Sequence, residues 1–154
     1  GEDDIGFHIY HFDASSVIDD LKNIKRKYDF IIIDSPPSIT YDSIQIIKCS
    51  DYVYVPMQPS PVDLLATIPF LNMVKLERKK VTVIINRVMP RVKLTDAMVI
   101  RLRYTGAKLA RSRISSKVIY AETFTVGRGV VDISITSDAS REIINLGNEI
   151  KRNF

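Results

Sequence analysis

The sequence predicts an α/β fold in which a mostly parallel sheet is flanked by helices. Short apolar runs at residues 30–33, 52–55 and 81–85 support this, because continuously apolar strands are typical of parallel sheets covered on both faces. Segments with apolar residues at helical spacing separate these runs. No internal repeat, low-complexity tract or linker interrupts the 154 residues, so we expect one domain, 1–154.

Strands and helices are predicted to alternate along the chain, as right-handed βαβ units require. The first helix begins at Ser15 or Ser16 and places Val17, Leu21 and Ile24 at i, i+4 and i+7. In order, the other predicted elements are strands 7–12 and 30–33, helix 41–48, strand 52–55, helix 62–77 with a kink near Pro69, strand 81–85, helix 93–113, strand 118–120 and a helix from 138.

Composition excludes several classes of protein. No stretch of about 18 uncharged apolar residues is present, which excludes a transmembrane helix. The acidic start, Gly1-Glu2-Asp3-Asp4, differs from secretory and transit peptides. The single cysteine, Cys49, has no partner for an internal disulfide, so we expect a cytoplasmic protein.

Basic residues are concentrated in one part of the chain. Residues 75–117 contain thirteen Lys or Arg and two acidic residues, a local net charge of +11 against +4 for the whole chain. Such asymmetry is typical of a surface that binds a polyanion. The alternative is a solvated basic face that the acidic remainder balances.

Three predicted strands end in polar or proline-bounded residues, where open parallel sheets bind ligands. Four apolar residues followed by Asp34 form the Walker B pattern, in which a rigid strand holds a carboxylate near Mg²⁺ and nucleotide phosphates. An aspartate at a strand end also occurs as ordinary capping of a loop. Asn86 similarly follows the strand at 81–85.

Five segments occur in the order expected of one family. They are the Asp-Ser-Pro-Pro-Ser segment at 34–38, the strand and proline-bounded loop at 50–61, Ile-Ile-Asn-Arg at 84–87, Glu122 with Gly127-Arg128, and the helix at 137–150. Together they resemble the ParA/MinD-type partition ATPases, a branch of the P-loop NTPases. The resemblance covers residues 28–154, and it implies a P-loop NTPase-like fold that is incomplete at the N-terminus.

The resemblance implies an ATPase of the ParA type. Such proteins bind ATP or ADP with Mg²⁺, form a homodimer on ATP, and attach non-specifically to DNA. A ParB-type, centromere-binding partner stimulates hydrolysis, and the cycle separates plasmids or chromosomes. We therefore expect a cytoplasmic, nucleoid-associated protein. A MinD-like positioning ATPase that acts at a membrane is an alternative. Membrane attachment is not expected, because the last helix lacks the basic and bulky apolar faces of an anchor.

The resemblance also assigns roles to residues. Asp34 would hold Mg²⁺ and serve catalysis, and Asn86, followed by Arg87, would contact adenine through its amide. Residues 56–61 would lie near the nucleotide and the dimer face. The segment that would sense the γ-phosphate consists of Ser35, Pro36, Pro37 and Ser38.

The sequence departs from the family in one respect that concerns activity. No G-x-x-x-x-G-K-[ST] loop occurs, so the triphosphate lacks its usual backbone N–H groups and lysines. Two explanations are open: the chain is the carboxyl-terminal part of a longer ATPase, or it is a homologue without the loop that binds DNA or acts as an adaptor. Hydrolysis is therefore expected of a complete protein and not of these residues alone.

DNA contacts are predicted for basic residues in the second half of the chain. Arg101, Lys108 and Arg111 would share one face of the helix predicted at 93–113. Arg128 and Arg141 would add contacts from the late loop and the last helix. Because phosphate contacts carry no sequence information, binding is expected to be non-specific and sensitive to salt.

Overall fold

The computed structural model describes residues 8–12, 16–35, 39–90 and 94–154, and these divide into two compact units, 1–51 and 52–154. In the first unit, helix α1 spans Val17–Ile24 and helix α2 spans Tyr41–Cys49. The predicted spacing in α1 is confirmed, since Val17, Leu21 and Ile24 are its buried residues. Thr40 caps α2 by accepting a hydrogen bond from the Ser43 N–H, while the Ser43 hydroxyl accepts one from the Thr40 N–H.

Two strands predicted for the first unit are absent from its described residues. Residues 8–12 and 30–33 belong to no strand, and Ile32 is 94% exposed. A strand of a parallel sheet needs hydrogen-bonded neighbours. The described part of the chain pairs no strand with either segment, so their apolar character alone does not make them strands.

The second unit contains a parallel sheet of three strands in the order β1-β2-β3. These are β1 (Tyr52–Met57), β2 (Lys80–Ile85) and β3 (Lys108–Leu109), and the register pairs Tyr52 with Lys80 and Thr82 with Lys108. The helices are α3 (Pro61–Leu76), α4 (Leu94–Tyr104), α5 (Val118–Thr125), α6 (Val130–Ile133) and α7 (Asp138–Lys151). The predicted parallel α/β fold is confirmed.

Alternation along β2 builds a core on each face of the sheet. Val83 and Ile85 point to one face, where buried residues of α3 and α4 such as Leu71 and Leu102 pack against them. Ile84 points to the other face and packs in a cluster that includes Ile143 of α7. Helices therefore cover both faces, which is the arrangement that continuously apolar strands require.

Two predicted elements after β2 are wrong. The helix predicted at 93–113 ends at Tyr104, because Gly106 adopts a left-handed φ of +71° and stops the helix. Leu109 then belongs to β3, where it pairs with Val83 instead of continuing the helical stripe. Residues 118–120 form the first turn of α5 and not a strand.

No described helix is both long enough and apolar enough to cross a lipid bilayer.

Two leucines of α3 provide a matched test of this packing. Leu71 is fully buried, whereas Leu76 on the same helix is 82% exposed. Leu71→Ala should lower the free energy of unfolding by about 2–5 kcal/mol, because it leaves a cavity in the core. Leu76→Ala should change it by no more than about 0.5 kcal/mol. Urea denaturation followed by circular dichroism measures both, and equal losses would contradict the buried face assigned to α3.

Candidate functional site

The carboxyl ends of β1 and β2 meet at one edge of the sheet, which we call the carboxyl edge. The Asn86 N–H donates to the Met57 carbonyl at 2.9 Å, which places the residue after β2 directly beside the end of β1. Ligands of open parallel sheets bind beyond such strand ends. The predicted position of Asn86 at a strand end is therefore what the structure shows.

Asn86 and Arg87 form a tight turn at this edge. Arg87 has a left-handed φ of +53°, and its N–H donates to Asn86 Oδ1 at 2.9 Å. This bond orients the half-buried Asn86 amide, and its Nδ2 group has no hydrogen-bond partner among the described residues. An oriented amide that offers a free donor and a second oxygen lone pair fits the edge of an adenine base.

The loop that joins β1 to α3 is stiffened by one carboxylate. Asp63 accepts from the Gln58 N–H at 3.0 Å and from the Ser60 hydroxyl at 2.9 Å. Ser60 in turn caps α3 by accepting from the Asp63 N–H at 3.1 Å. Residues 58–63 therefore present a constrained loop at the carboxyl edge, next to the end of β1.

A third segment lies at the carboxyl edge, and the sequence did not predict it. Residues 114–116 pair with Val88, which accepts from Ser116 and donates to Ile114, each at 2.9 Å. The chain after β3 thus runs beside the Asn86-Arg87 turn.

Two carboxylates of α7 hold residues 111–117, which include this third segment, in place. Glu142 accepts from the Ser115 N–H at 2.9 Å, from the Ser115 hydroxyl at 2.7 Å, from Lys117 at 2.8 Å and from the Tyr120 hydroxyl at 2.9 Å. Glu149, two turns later, accepts from the backbone N–H groups of Arg111 and Ser112, both at 2.8 Å. Their i, i+7 spacing was visible in the sequence, but their backbone partners were not.

The surroundings of Glu142 shift two pKa values. Burial alone would raise the pKa of Glu142, but hydrogen bonds from Lys117, Ser115 and Tyr120 outweigh it and lower the pKa to about 2. Burial, together with the hydrogen bond to Glu142, raises the pKa of Tyr120. The pKa of Glu149 is also lowered: its burial opposes this, but the Arg111 and Ser112 N–H groups prevail.

In the first unit, Asp34 and Ser35 lie outside any helix or strand and are both exposed. The Asp34 carboxylate has no hydrogen-bond or ion-pair partner within the described ranges, so its oxygens remain available to a hard cation. Pro36, Pro37 and Ser38 lie outside the described residues. No group of three or more His, Cys, Asp or Glu in the described chain forms a cation site, and a single carboxylate is what nucleotide-bound Mg²⁺ commonly uses.

Arg101, Lys108 and Arg111 do not share one helical face, so that part of the DNA-binding prediction is wrong. Arg101 lies on α4, whereas Lys108 begins β3 and Arg111 follows it. Lys108 contacts Asn153, just beyond the C-terminal end of α7. Arg141 lies in the first turn of α7, about 18 Å from Asn153 along the helix axis, so Lys108 and Arg141 lie at opposite ends of α7. Arg128 lies between α5 and α6. Their roles in DNA binding stay predictions.

A three-stranded parallel sheet covered by helices, with polar residues at its carboxyl edge, defines the α/β class to which P-loop NTPases belong. The fold matches the crystal structure of the cell division ATPase MinD of Pyrococcus furiosus with a TM-score of 0.78 and 19% identity, over 92% of this chain and 60% of that one. Residues 5–87 match the AAA_31 family, described as an AAA domain. The chain belongs to this family, that of the ParA/MinD-type partition ATPases.

Named relatives agree with this assignment. The maintenance of carboxysome distribution protein A of Halothiobacillus neapolitanus is 25% identical over 97% of this chain, and the sporulation initiation inhibitor protein Soj of Bacillus subtilis is 26% identical over 86%. A ParA family protein of Mycoplasma genitalium is 24% identical over 97%. The chain spans 72%, 56% and 58% of these relatives, respectively. Family membership implies the use of a nucleotide and, typically, Mg²⁺.

Glu142 and its hydrogen-bond donors Ser115, Lys117 and Tyr120, here called the Glu142 cluster, predict that the stability of the fold depends on pH. Because the folded-state pKa of Glu142 is lower than its ordinary value of 4.5, its contribution is complete above about pH 4.5 and is lost as the pH falls towards 2. The contribution should be about 3 kcal/mol. Glu142→Gln should remove this dependence and lower stability at pH 7, as measured by urea denaturation between pH 7 and pH 2.5.

Glu122→Gln is the matched control, because Glu122 is exposed on α5 and its carboxylate has no partner within the described residues. It should leave the free energy of unfolding and its pH profile unchanged. A pH profile of Glu142→Gln that coincides with that of the parent chain would contradict the role assigned to the cluster.

Proposed function

We propose that this chain is the carboxyl-terminal part of a ParA-like ATPase that acts in plasmid or chromosome partition. In this proposal, the complete protein binds ATP with Mg²⁺, forms a homodimer on ATP and attaches non-specifically to DNA. A ParB-type, centromere-binding protein is its partner, and the protein is cytoplasmic and associated with the nucleoid. The observation that carries the proposal is the oriented Asn86 amide at the carboxyl edge of a ParA/MinD-type fold.

The base-binding part of the proposed site consists of the Asn86-Arg87 turn and the segment that pairs with Val88. Asn86 offers an amide already oriented by the Arg87 N–H, so little side-chain freedom is lost when a base binds. Arg87 is exposed and forms no ion pair within the described residues, so its cation is available near the nucleotide. Glu142 and Glu149 keep the neighbouring segment in register with the turn.

Asp34 is the residue proposed to hold Mg²⁺. Its exposed and unpartnered carboxylate fits a cation that prefers oxygen ligands. When bound, Mg²⁺ neutralises charge on the nucleotide phosphates. Ser35, Pro36, Pro37 and Ser38 are proposed to respond to the γ-phosphate, as the family resemblance implies. The 154 residues contain no Walker A loop, so hydrolysis is proposed for the complete protein and not for these residues alone.

The proposed cargo rests on the charge of this chain and not on the names of its relatives. One relative is named for carboxysome distribution and another for inhibition of sporulation initiation. These names agree on no single cargo. Plasmid or chromosome DNA is proposed because residues 75–117 carry a net charge of +11, which favours attachment to a polyanion.

A second candidate function follows from the missing loop. On this alternative, the chain is a non-enzymatic module that binds DNA or a protein partner on the same scaffold. Nucleotide binding separates the two candidates, because the alternative has no need of ATP. The complete gene product should shift from monomer to dimer with ATP and Mg²⁺, as measured by light scattering after gel filtration. A protein that stays monomeric at millimolar ATP would contradict the proposed function and favour the alternative.

Asn86→Ala should weaken ATP binding to the complete gene product about tenfold. The reason is that the base loses its hydrogen bonds to the amide, worth about 1–2 kcal/mol. Titration with a fluorescent ATP analogue in the presence of Mg²⁺ measures the dissociation constant. Asn72→Ala is the control, because Asn72 is an exposed residue of α3, far from the strand ends in sequence, and it should have no effect. A dissociation constant of Asn86→Ala within twofold of the parent would show that Asn86 does not contact the base.

A further inference from the structure

Basic residues gather at the edge of the sheet opposite to the candidate nucleotide site. This amino edge consists of the first residues of β1, β2 and β3 and the chain at the ends of α3, α4 and α7, because each crossover helix in a parallel sheet ends where the next strand begins. Its segments 75–80, 101–108 and 151–154 contain one acidic residue, Glu77. They contain nine basic residues: Lys75, Arg78, Lys79, Lys80, Arg101, Arg103, Lys108, Lys151 and Arg152.

Contacts between the segments confirm that they share this edge. Lys75 near the end of α3 donates to the Thr105 carbonyl just after α4, at 2.5 Å. Lys108 at the start of β3 donates to Asn153 Oδ1 beyond α7, at 3.0 Å. The rings of Tyr52 and Phe154 lie 6.1 Å apart, which brings the start of β1 to the same place.

The positive charge of the amino edge is largely uncompensated. Eight of the nine basic side chains are exposed, and Lys79 is half-buried. Within the described parts of the chain, eight of them form no ion pair with a carboxylate: Lys75, Arg78, Lys80, Arg101, Arg103, Lys108, Lys151 and Arg152. Three helix C-termini add about −0.5 each, so a net charge of about +6 to +7 remains at this edge.

Helix stabilisation does not account for the whole set. Cations near helix C-termini interact favourably with the helix dipole, and this explains Lys75 and Lys151 without any ligand. Lys80 and Lys108 are instead the first residues of adjacent strands. From the register, their Cα atoms lie about 8 Å apart, so they form a pair of neighbouring cations that no helix end requires.

A cavity of about 370 Å³ lies between these two lysines, and Tyr52, Val81 and Asn153 complete its lining. Lys108 Nζ contacts the Tyr52 hydroxyl at 3.3 Å and Asn153 Oδ1 at 3.0 Å, which are both neutral acceptors. The ammonium of Lys80 has no partner within the described residues. Two ammonium groups without a carboxylate, beside a tyrosine hydroxyl, form a set of donors suited to a phosphate group.

We propose that the amino edge binds the sugar-phosphate backbone of duplex DNA, with Lys80 and Lys108 holding one phosphate at the cavity. This inference rests on the DNA binding proposed above and assigns a surface to it. A row of exposed cations on a rigid sheet edge binds duplex DNA through counterion release, independently of sequence. The surface differs from the helical face expected from the sequence, since it includes Arg101 and Lys108 but excludes Arg111 and Arg141.

A membrane surface fits this edge less well. Helices that bind at a bilayer surface lie flat and present a continuous apolar face. Here α3, α4 and α7 meet the edge only at their C-terminal ends. The exposed apolar residues Leu76, Tyr104 and Phe154 come one from each helix end, so they form no such face.

The test compares two variants that remove the same charge from different places. Lys80→Gln with Lys108→Gln neutralises the cavity, and Arg113→Glu reverses the charge of one exposed arginine that follows β3 and lies off the amino edge. Binding of a fluorescent 24-base-pair duplex is measured by anisotropy between 50 and 300 mM salt, with the 154-residue chain and with the complete gene product in ATP and Mg²⁺. Circular dichroism confirms that each variant is folded.

The lysine variant should bind DNA at least about tenfold more weakly at 100 mM salt, and the slope of log K against log salt should fall by about 2. The arginine variant should stay within threefold of the parent. If the arginine variant loses as much affinity as the lysine variant, the amino edge is not the DNA surface, although the proposed function stands. If the parent proteins do not bind duplex DNA, the proposed DNA-binding function fails. Lysine-dependent binding to vesicles with 30% phosphatidylglycerol, without DNA binding, would also overturn the inference.

Discussion

The parallel pairing of β1, β2 and β3 determines where every functional group of the second unit lies. In a parallel sheet all strands end on one side, so Asn86 lies beside Met57, and the chain after β3 comes to the same edge. The helices return the chain to the opposite edge, so their basic C-terminal segments collect there. One hydrogen-bonding pattern thus separates a candidate base-binding edge from a positively charged one.

This arrangement depends on α7 as much as on the sheet. β3 has only two residues, Lys108 and Leu109, and so few ladder hydrogen bonds cannot hold the following segment by themselves. Glu142 and Glu149 supply what the short strand lacks, because Glu142 accepts from the Ser115 N–H and Glu149 accepts from the N–H groups of Arg111 and Ser112. Such charge-assisted hydrogen bonds are stronger than neutral ones. The last helix is therefore a structural part of the candidate nucleotide site, although it contributes no predicted ligand.

The elements predicted correctly are those in which local sequence and tertiary surroundings agree. Helices α1, α2, α3 and α7 and strands β1 and β2 were predicted because their apolar spacing and caps, such as Ser60 before α3, act over a few residues. The strands predicted at 7–12 and 30–33 are absent from the described residues because strand pairing is not a local property. In the helix predicted at 93–113, Gly106 was an available stop signal. The strand that follows was not predicted, because it has only two residues and one of them is a lysine.

The sequence alone established the alternation of strands and helices from β1 to α4, the strand end at Asn86 and the resemblance to ParA/MinD-type ATPases, since periodicity and short motifs are local. Only the tertiary structure decided which charged groups lie together. Lys80 and Lys108 are 28 residues apart, and Lys108 and Asn153 are 45 apart, so their proximity follows from strand register and helix docking. No spacing rule along the chain contains that information, because side chains distant in sequence meet only when the backbone hydrogen bonds of the sheet bring them together.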